Sequence, residues 1–422
     1  MKQESSAFRQ RSFNGISRED FINLVTERYT LNLYKSSKNM NWENLEKIII
    51  EEKNNTPCLE EAEALGKMKK IVEKYNLSSV SFGKVRITEE ALNNFEQSLE
   101  QLKMIINCES HQVGANKFNF FLDTENVNYA GYSDQFGSNQ KIYLNERLSY
   151  DAFAHEWLHA IDNIMATQKG VQEYHLSESN SLHSSNISEL LKASYIANKE
   201  FIENFKGKCL EDSKTTFSNL IQRYDGLGEL INKEELKNFL EDVVNNISNN
   251  KDYWSNNKDK IQNTIKKHIR GETVSPIAFF LTEIELVNKV MHEKLDESLF
   301  LYYAKKMDDN LKKVNFLEKD DEYSTEKREV FARSFETYVD IRFKELNIPN
   351  KISNSQVSHY MPHIDEVKTY INKWEPIIME IKEALNNLSP KKYNKSGILD
   401  RIKDLRKDFT NNTSLALTNN KI

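Results

Sequence analysis

At 422 residues the chain has room for one large domain with a sizeable core, or for two to three smaller ones. Hydrophobic residues make up 38% and charged residues 29%, with twelve glycines and six prolines, which excludes a collagen-like or wholly disordered chain and favours a soluble, helix-rich one. The 58 basic and 64 acidic side chains are interleaved for a net charge of -6, so no basic stripe marks a nucleic-acid partner, and the apolar runs 48–50 and 276–281 fall far short of a membrane span of about 20 residues.

The opening MKQESSAFRQRSFNG lacks the apolar core of a Sec-type signal peptide, so the expected setting is the cytoplasm as synthesised, or secretion or delivery without a cleaved signal. Segments 17–34, 41–53 and 58–75 then carry apolar residues at helical spacing. From Ser79 the texture changes: Val80 to Ile87 alternates as a half-buried strand does, and a helix is predicted over 88–108. Strand and turn patterns fill 117–122, 129–132 and 141–145, with Asp134, Gly137, Ser138 and Asn139 as turn residues before the last. Ser149 is a candidate N-cap for the following helix, and Asp151 suits its first turn. Amphipathic helices are expected over 188–205, 229–247, 253–269 and 276–295, then 325–344, 364–388 and 397–409, before a polar tail. Cys58, Cys108 and Cys209 are odd in number and widely spaced, which argues against a disulfide framework or a cysteine metal knuckle.

The most informative stretch is SYDAFAHEWLHAIDNIM, with His155-Glu156-Trp157-Leu158-His159 inside it. Two histidines at i and i+4 lie on one helix face, where both imidazoles can reach one metal ion. Glu156 sits about 100° around the helix, where a carboxylate can contact a metal-bound water without becoming a ligand. Phe153, Ala154, Trp157, Leu158, Ile161 and Met165 form an apolar back suited to a core. The competing reading is an exposed helix carrying two histidines and a local Glu–His contact.

A catalytic zinc site commonly takes three protein ligands and leaves one position open. The remaining histidines, His111, His175, His183, His268, His292, His359 and His363, show no partner pattern and read as ordinary surface or core residues. The stronger candidate is the segment EVFARSFETY, where Glu329, Ala332, Arg333 and Glu336 share a face and Phe331, Phe335 and Tyr338 form an apolar one. HEWLHAID followed by EVFARSFE resembles the zincins of the anthrax lethal factor type, and more closely the metallopeptidase-like domains of large polyvalent phage and mobile-element proteins. The resemblance covers about 118–340. It implies Glu329 as the third zinc ligand beside His155 and His159, and Asp162 as a residue orienting one of those histidines. Tyr323 is the nearest counterpart of the catalytic tyrosine of lethal-factor-like enzymes, offset by one residue; a tyrosine packed at a helix entrance is the alternative. The stretch 170–316 between the two motifs is much longer than in the lethal factor catalytic domain.

The expected fold is therefore mainly α (α+β): a zincin-like core with a small mixed sheet beside the HExxH helix, surrounded by further helices. The expected organisation is a helical segment 1–76, a metallopeptidase domain 77–345 with a helical insertion at about 184–315, C-terminal helices 346–410 and a tail 411–422. The expected activity is zinc-dependent hydrolysis of peptide bonds, with Glu156 as general base and Tyr323 contacting the oxyanion. A polypeptide substrate is implied, adding as an extra strand along 141–145, with specificity in 129–137, 173–188 and the insertion, which also offers a partner-binding surface. The resemblance leans towards a bacterial or phage-delivered effector over an intracellular protease. Two other classes stay open: a catalytically silent interaction module on a zincin fold, and a zinc hydrolase acting on a non-peptide bond.

Overall fold

The computed structural model describes residues 12–13, 16–17, 61–82, 88–122, 131–136, 139–144, 152–226, 228–270, 275–314, 317–318, 322–353 and 361–388. The helices expected over 17–34, 41–53 and 397–409 lie outside the described residues, as do Ser149 and Asp151. The chain forms two compact units, 1–156 with 385–422, and 157–384. The division falls within one continuous helix, between Glu156 and Trp157.

In the first unit the two-residue strands β1 (Ser12–Phe13) and β2 (Ile16–Ser17) pair antiparallel. Helix α1 (Glu61–Tyr75) leads into β3 (Ser79–Phe82), followed by α2 (Glu89–Ile106), the short α3 (Ser110–Gly114) and the strands β4 (Phe118–Leu122), β5 (Gly131–Phe136) and β6 (Asn139–Leu144). Helix α2 starts where its sequence says it should: the Thr88 hydroxyl accepts the Ala91 N–H at 3.0 Å, and Glu89 and Glu90 follow in the first turn. It ends on Asn107 in the left-handed region, φ 52°, a conformation asparagine tolerates.

The sheet has the order β3-β4-β6-β5, with β3, β4 and β6 parallel and β5 antiparallel to β6. Val80, Phe120 and Ile142 are register partners and all are buried, with Phe118, Leu122 and Leu144 on the same side. That face packs on Phe95 of α2 and on Phe153, whose rings lie 5.2 and 5.5 Å from Phe120. The period-two burial of β4 is what alternation in a one-sided strand requires. The strand proposed as a docking edge, 141–145, is not an edge. β5 pairs antiparallel along it and takes the outer position.

The second unit is helical: α4 (Phe153–Lys169) continues into it from the first unit, followed by α5 (Ser185–Tyr195), α6 (Lys199–Gly226), α7 (Lys233–Asn249), α8 (Tyr253–Lys267), α9 (Ser275–His292), α10 (Leu299–Lys313), α11 (Lys327–Leu346), α12 (Ile364–Lys368) and α13 (Trp374–Asn387). One apolar core runs through α6 to α10. Its axis is α9, buried nearly all round, as a helix without a polar face must be. Three polar groups on that helix are matched: Ser213 donates to Glu283 at 2.7 Å, Lys258 to Glu285 at 2.9 Å, and Asn310 to Thr282 at 3.0 Å. Phe331, Phe335 and Tyr338 of α11 stack around Trp374, at 5.3, 5.4 and 5.3 Å between ring centroids.

Two predicted helices are each broken in two. The run 188–205 divides because Ile196 is extended and bridges Glu297, after which Asn198 caps α6 through a 2.9 Å bond from Phe201 N–H. The run 364–388 divides at 369–373, and α13 restarts with Pro376 in its first turn, where a missing N–H is tolerated. The expected class, mainly α with a small mixed sheet beside the HExxH helix, is the one observed. Among the described residues no helix is long and apolar enough to cross a membrane.

Candidate metal centre

Helix α4 is anchored along its apolar back. Phe153, Ala154, Trp157, Leu158, Ile161 and Met165 are each at most 1% exposed. Phe153 sits on the sheet face, and Trp157 stacks on Phe335 at 6.3 Å. With that back fixed, the histidine face of the helix has one orientation. His155 is partly exposed, while Glu156 and His159 are buried. Glu156 lies in the first turn, where unpaired helix N–H groups favour a negative charge.

Helix α11 supplies Glu329, itself in a first turn and 4% exposed. Its Oε1 lies 3.3 Å from His159 Nε2, and its Oε2 is 3.2 Å from Arg333 Nη2. His155, His159 and Glu329 together offer three ligand atoms within 4.8 Å of one another, a group that could hold a metal ion; it is the one such group of His, Cys, Asp or Glu among the described residues. The three residues proposed from sequence as ligands are thus brought together.

Asp162 does something different from the orienting role expected of it. Its carboxylate accepts the backbone N–H of Ser177 at 2.9 Å and the Ser177 hydroxyl, and lies 3.7 Å from His175 Nδ1. It therefore holds the loop after α4. Burial pushes the Asp162 carboxyl up to about 7, against the opposing effect of the Ser177 bonds.

His175 is the neighbour sequence reading passed over as ordinary. It is 5% exposed, and its ring centroid is 5.7 Å from that of His159. Burial, and next the proximity of His159, hold its pKa down at about 3, so it is a neutral imidazole at ordinary pH. Nothing in its spacing from the HExxH motif marks it, because a loop of no fixed period brings it back. The same loop packs on the start of α11, with Lys327 donating to Asn180 at 2.9 Å.

Tyr323 opens a short 3-10 turn, Tyr323–Thr325, just before α11. Its side chain is 43% exposed, and the Arg333 guanidinium lies 5.7 Å from its ring centroid. Arg333, recognised in the sequence only as sharing a face with Glu329, is an ion-pair neighbour of the cluster that the i, i+4 spacing could have revealed. It is 2% exposed and ends on the Glu329 carboxylate and the Ser324 carbonyl, the latter at 2.9 Å. Comparison of the chain with protein families, with characterised proteins and with solved structures finds no match.

Proposed function

We propose that the chain is a zinc metallopeptidase in which His155, His159 and Glu329 hold the ion and Glu156 is the general base. The observation that carries this reading is the 3.3 Å approach of His159 Nε2 to Glu329 Oε1 within a three-donor group. Two donors each about 2.0–2.1 Å from a tetrahedral centre lie roughly 3.3–3.4 Å apart, and two imidazoles with one carboxylate are a set that zinc takes at catalytic sites. Three protein donors leave a fourth position for water or substrate.

When bound, zinc supplies a water acidified to near neutrality and polarises the scissile carbonyl. Glu156 takes the proton of the attacking water on its carboxylate. It then delivers that proton to the amide nitrogen, so that the C–N bond breaks with a neutral amine leaving. Its position in a helix first turn sets the carboxylate beside unpaired helix N–H groups, which favour negative charge. Tyr323 is the candidate oxyanion contact, its exposed side chain preceding the Glu329 helix. An extended polypeptide would pair with β5, which ends the sheet on one side and among the described residues has no strand on its outer edge.

The test compares the wild type with Glu156→Gln and Glu329→Ala. Metal content is measured by mass spectrometry, and cleavage of a mixed peptide library is followed for each. The expected result is one zinc per chain in the wild type, retained in Glu156→Gln with cleavage lost, and weakened in Glu329→Ala. A wild type that takes up no zinc overturns the reading and leaves a helical interaction protein with a coincidental motif.

A further inference from the structure

Four buried groups link the helical insertion to the candidate ligand without a break. Glu329 Oε2 accepts from Arg333 Nη2 at 3.2 Å, and Arg333 Nη1 donates to the Ser324 carbonyl at 2.9 Å. The N–H of the same Ser324 donates to both oxygens of Asp308, each at 3.0 Å. Asp308, Ser324, Arg333 and Glu329 are at most 4% exposed. Asp308 belongs to α10, whose first N–H groups are held in turn by Glu366, at 3.0 Å to Leu299 N and 3.4 Å to Phe300 N. The backbone of Ser324, before α11, is therefore held on both sides, at its N–H by Asp308 and at its carbonyl by Arg333.

From this we infer that Arg333 and Asp308 are positioning residues for Glu329, and that the insertion is part of the metal site's support and not an appendage to it. The inference rests on the metal-binding reading above. A guanidinium is a planar fork, so once one nitrogen is fixed on the Ser324 carbonyl the direction of the other is set. That second nitrogen engages Oε2 and leaves Oε1 facing His159. The carboxylate is thereby presented through one oxygen, and its rotation about the last side-chain bond is stopped. Asp308 acts one step further out, by holding the N–H of the residue whose carbonyl the fork rests on. Support of this kind typically changes metal affinity by about 10–100-fold when removed.

The test titrates the full chain, stripped of metal, with Co²⁺ while the visible spectrum is recorded, and measures zinc affinity against a chromophoric chelator. The variants are Glu329→Ala, Arg333→Met, Arg333→Lys, Asp308→Ala and Asp308→Asn, with thermal unfolding of each metal-free protein as a control on folding. The expected result is a zinc affinity lowered about 10–100-fold in Arg333→Met and about tenfold in Asp308→Ala, with an altered Co²⁺ band shape. Asp308→Asn keeps an acceptor for the Ser324 N–H and is expected within about threefold of wild type. Arg333→Lys keeps the charge without the fork and falls between. Should Arg333→Met fail to fold, Arg333→Lys and the Asp308 pair carry the comparison. If Glu329→Ala loses affinity while the Arg333 and Asp308 variants bind as the wild type does, the positioning roles are overturned and the metal site stands. If the wild type shows no Co²⁺ band and no zinc uptake, both are overturned.

Discussion

Trp374 is where the C-terminal helix fixes the helix that carries Glu329, and its replacement has a cost that can be worked out in two parts. The indole is fully buried against Phe331, Phe335 and Tyr338. Trp374→Ala removes all three ring contacts and leaves a cavity, a change that typically costs about 3–5 kcal/mol. At about 2–4 °C per kcal/mol for a unit of this size, the melting temperature is expected to fall by roughly 6–20 °C. Trp374→Phe is a different case. The ring remains, the lost volume is at most about 40 Å³, and at about 24 cal/mol per Å³ the residual cavity costs about 1 kcal/mol. Against that, Trp374 Nε1 is buried with no hydrogen-bond partner, and losing such a donor returns a desolvation penalty of about 1–3 kcal/mol. Trp374→Phe is therefore expected to lie between no change and about 2 kcal/mol more stable than wild type. The assay is urea unfolding of metal-free protein followed by circular dichroism, with the slope compared so that a change in midpoint reads as stability. If Trp374→Phe is as damaging as Trp374→Ala, the indole nitrogen is not a standing cost and the reasoning fails.

Gly114→Ala places a Cβ 2.5 Å from Leu77 Cδ2, 2.6 Å from the Tyr75 carbonyl oxygen and 2.7 Å from that of Asn76. Two of the three are backbone atoms in the turn before β3, so a loss of about 1–3 kcal/mol is expected in thermal or urea unfolding; an unchanged midpoint would show that the turn yields freely. Glu366→Ala strips the anion from the buried start of α10 and is expected to cost about 1–3 kcal/mol in the same assay, with Glu366→Gln losing less because it keeps an acceptor. The pair Asp162 and His175 gives a pH test in metal-free protein. Asp162 has its folded pKa raised to about 7, so the native state binds the extra proton and stability falls as pH rises from about 4 to 7. His175 has its folded pKa lowered to about 3, so the unfolded state binds the extra proton and stability rises with pH from about 3 to 6.5. The two slopes oppose one another between about pH 4 and 6.5, and His175→Gln removes the rising one. Relative to wild type, His175→Gln is expected to lose about 1.4 kcal/mol per pH unit across that window; equal pH profiles would refute the assignment.

What the sequence determined by itself is what short-range periodicity can carry. The spacing of His155 and His159 and the apolar back from Phe153 to Met165 follow from 3.6 residues per turn, and α4 has both. The helix starting at Thr88 and the strand over 117–122 are equally local, and both were expected from the sequence. Where one helix became two, as at Ile196, the amphipathic pattern continued across the break, and the extended residue was held by a bridge to Glu297 about a hundred positions away. The order of the sheet was also beyond local signals, because β5 and β6 have similar patterns and only pairing decides which is outermost. At the site, Glu329 could be named through the likeness of its helix to that of known zincins, but its distance to His159 could not be. The turn of the Asp162 carboxylate to Ser177, the return of His175 beside His159, and the reach of Asp308 from α10 to the Ser324 N–H all join residues with no fixed spacing. Such contacts are set by how whole helices pack, a decision spread over the core from Trp157 to Trp374, and so they belong to the tertiary structure alone.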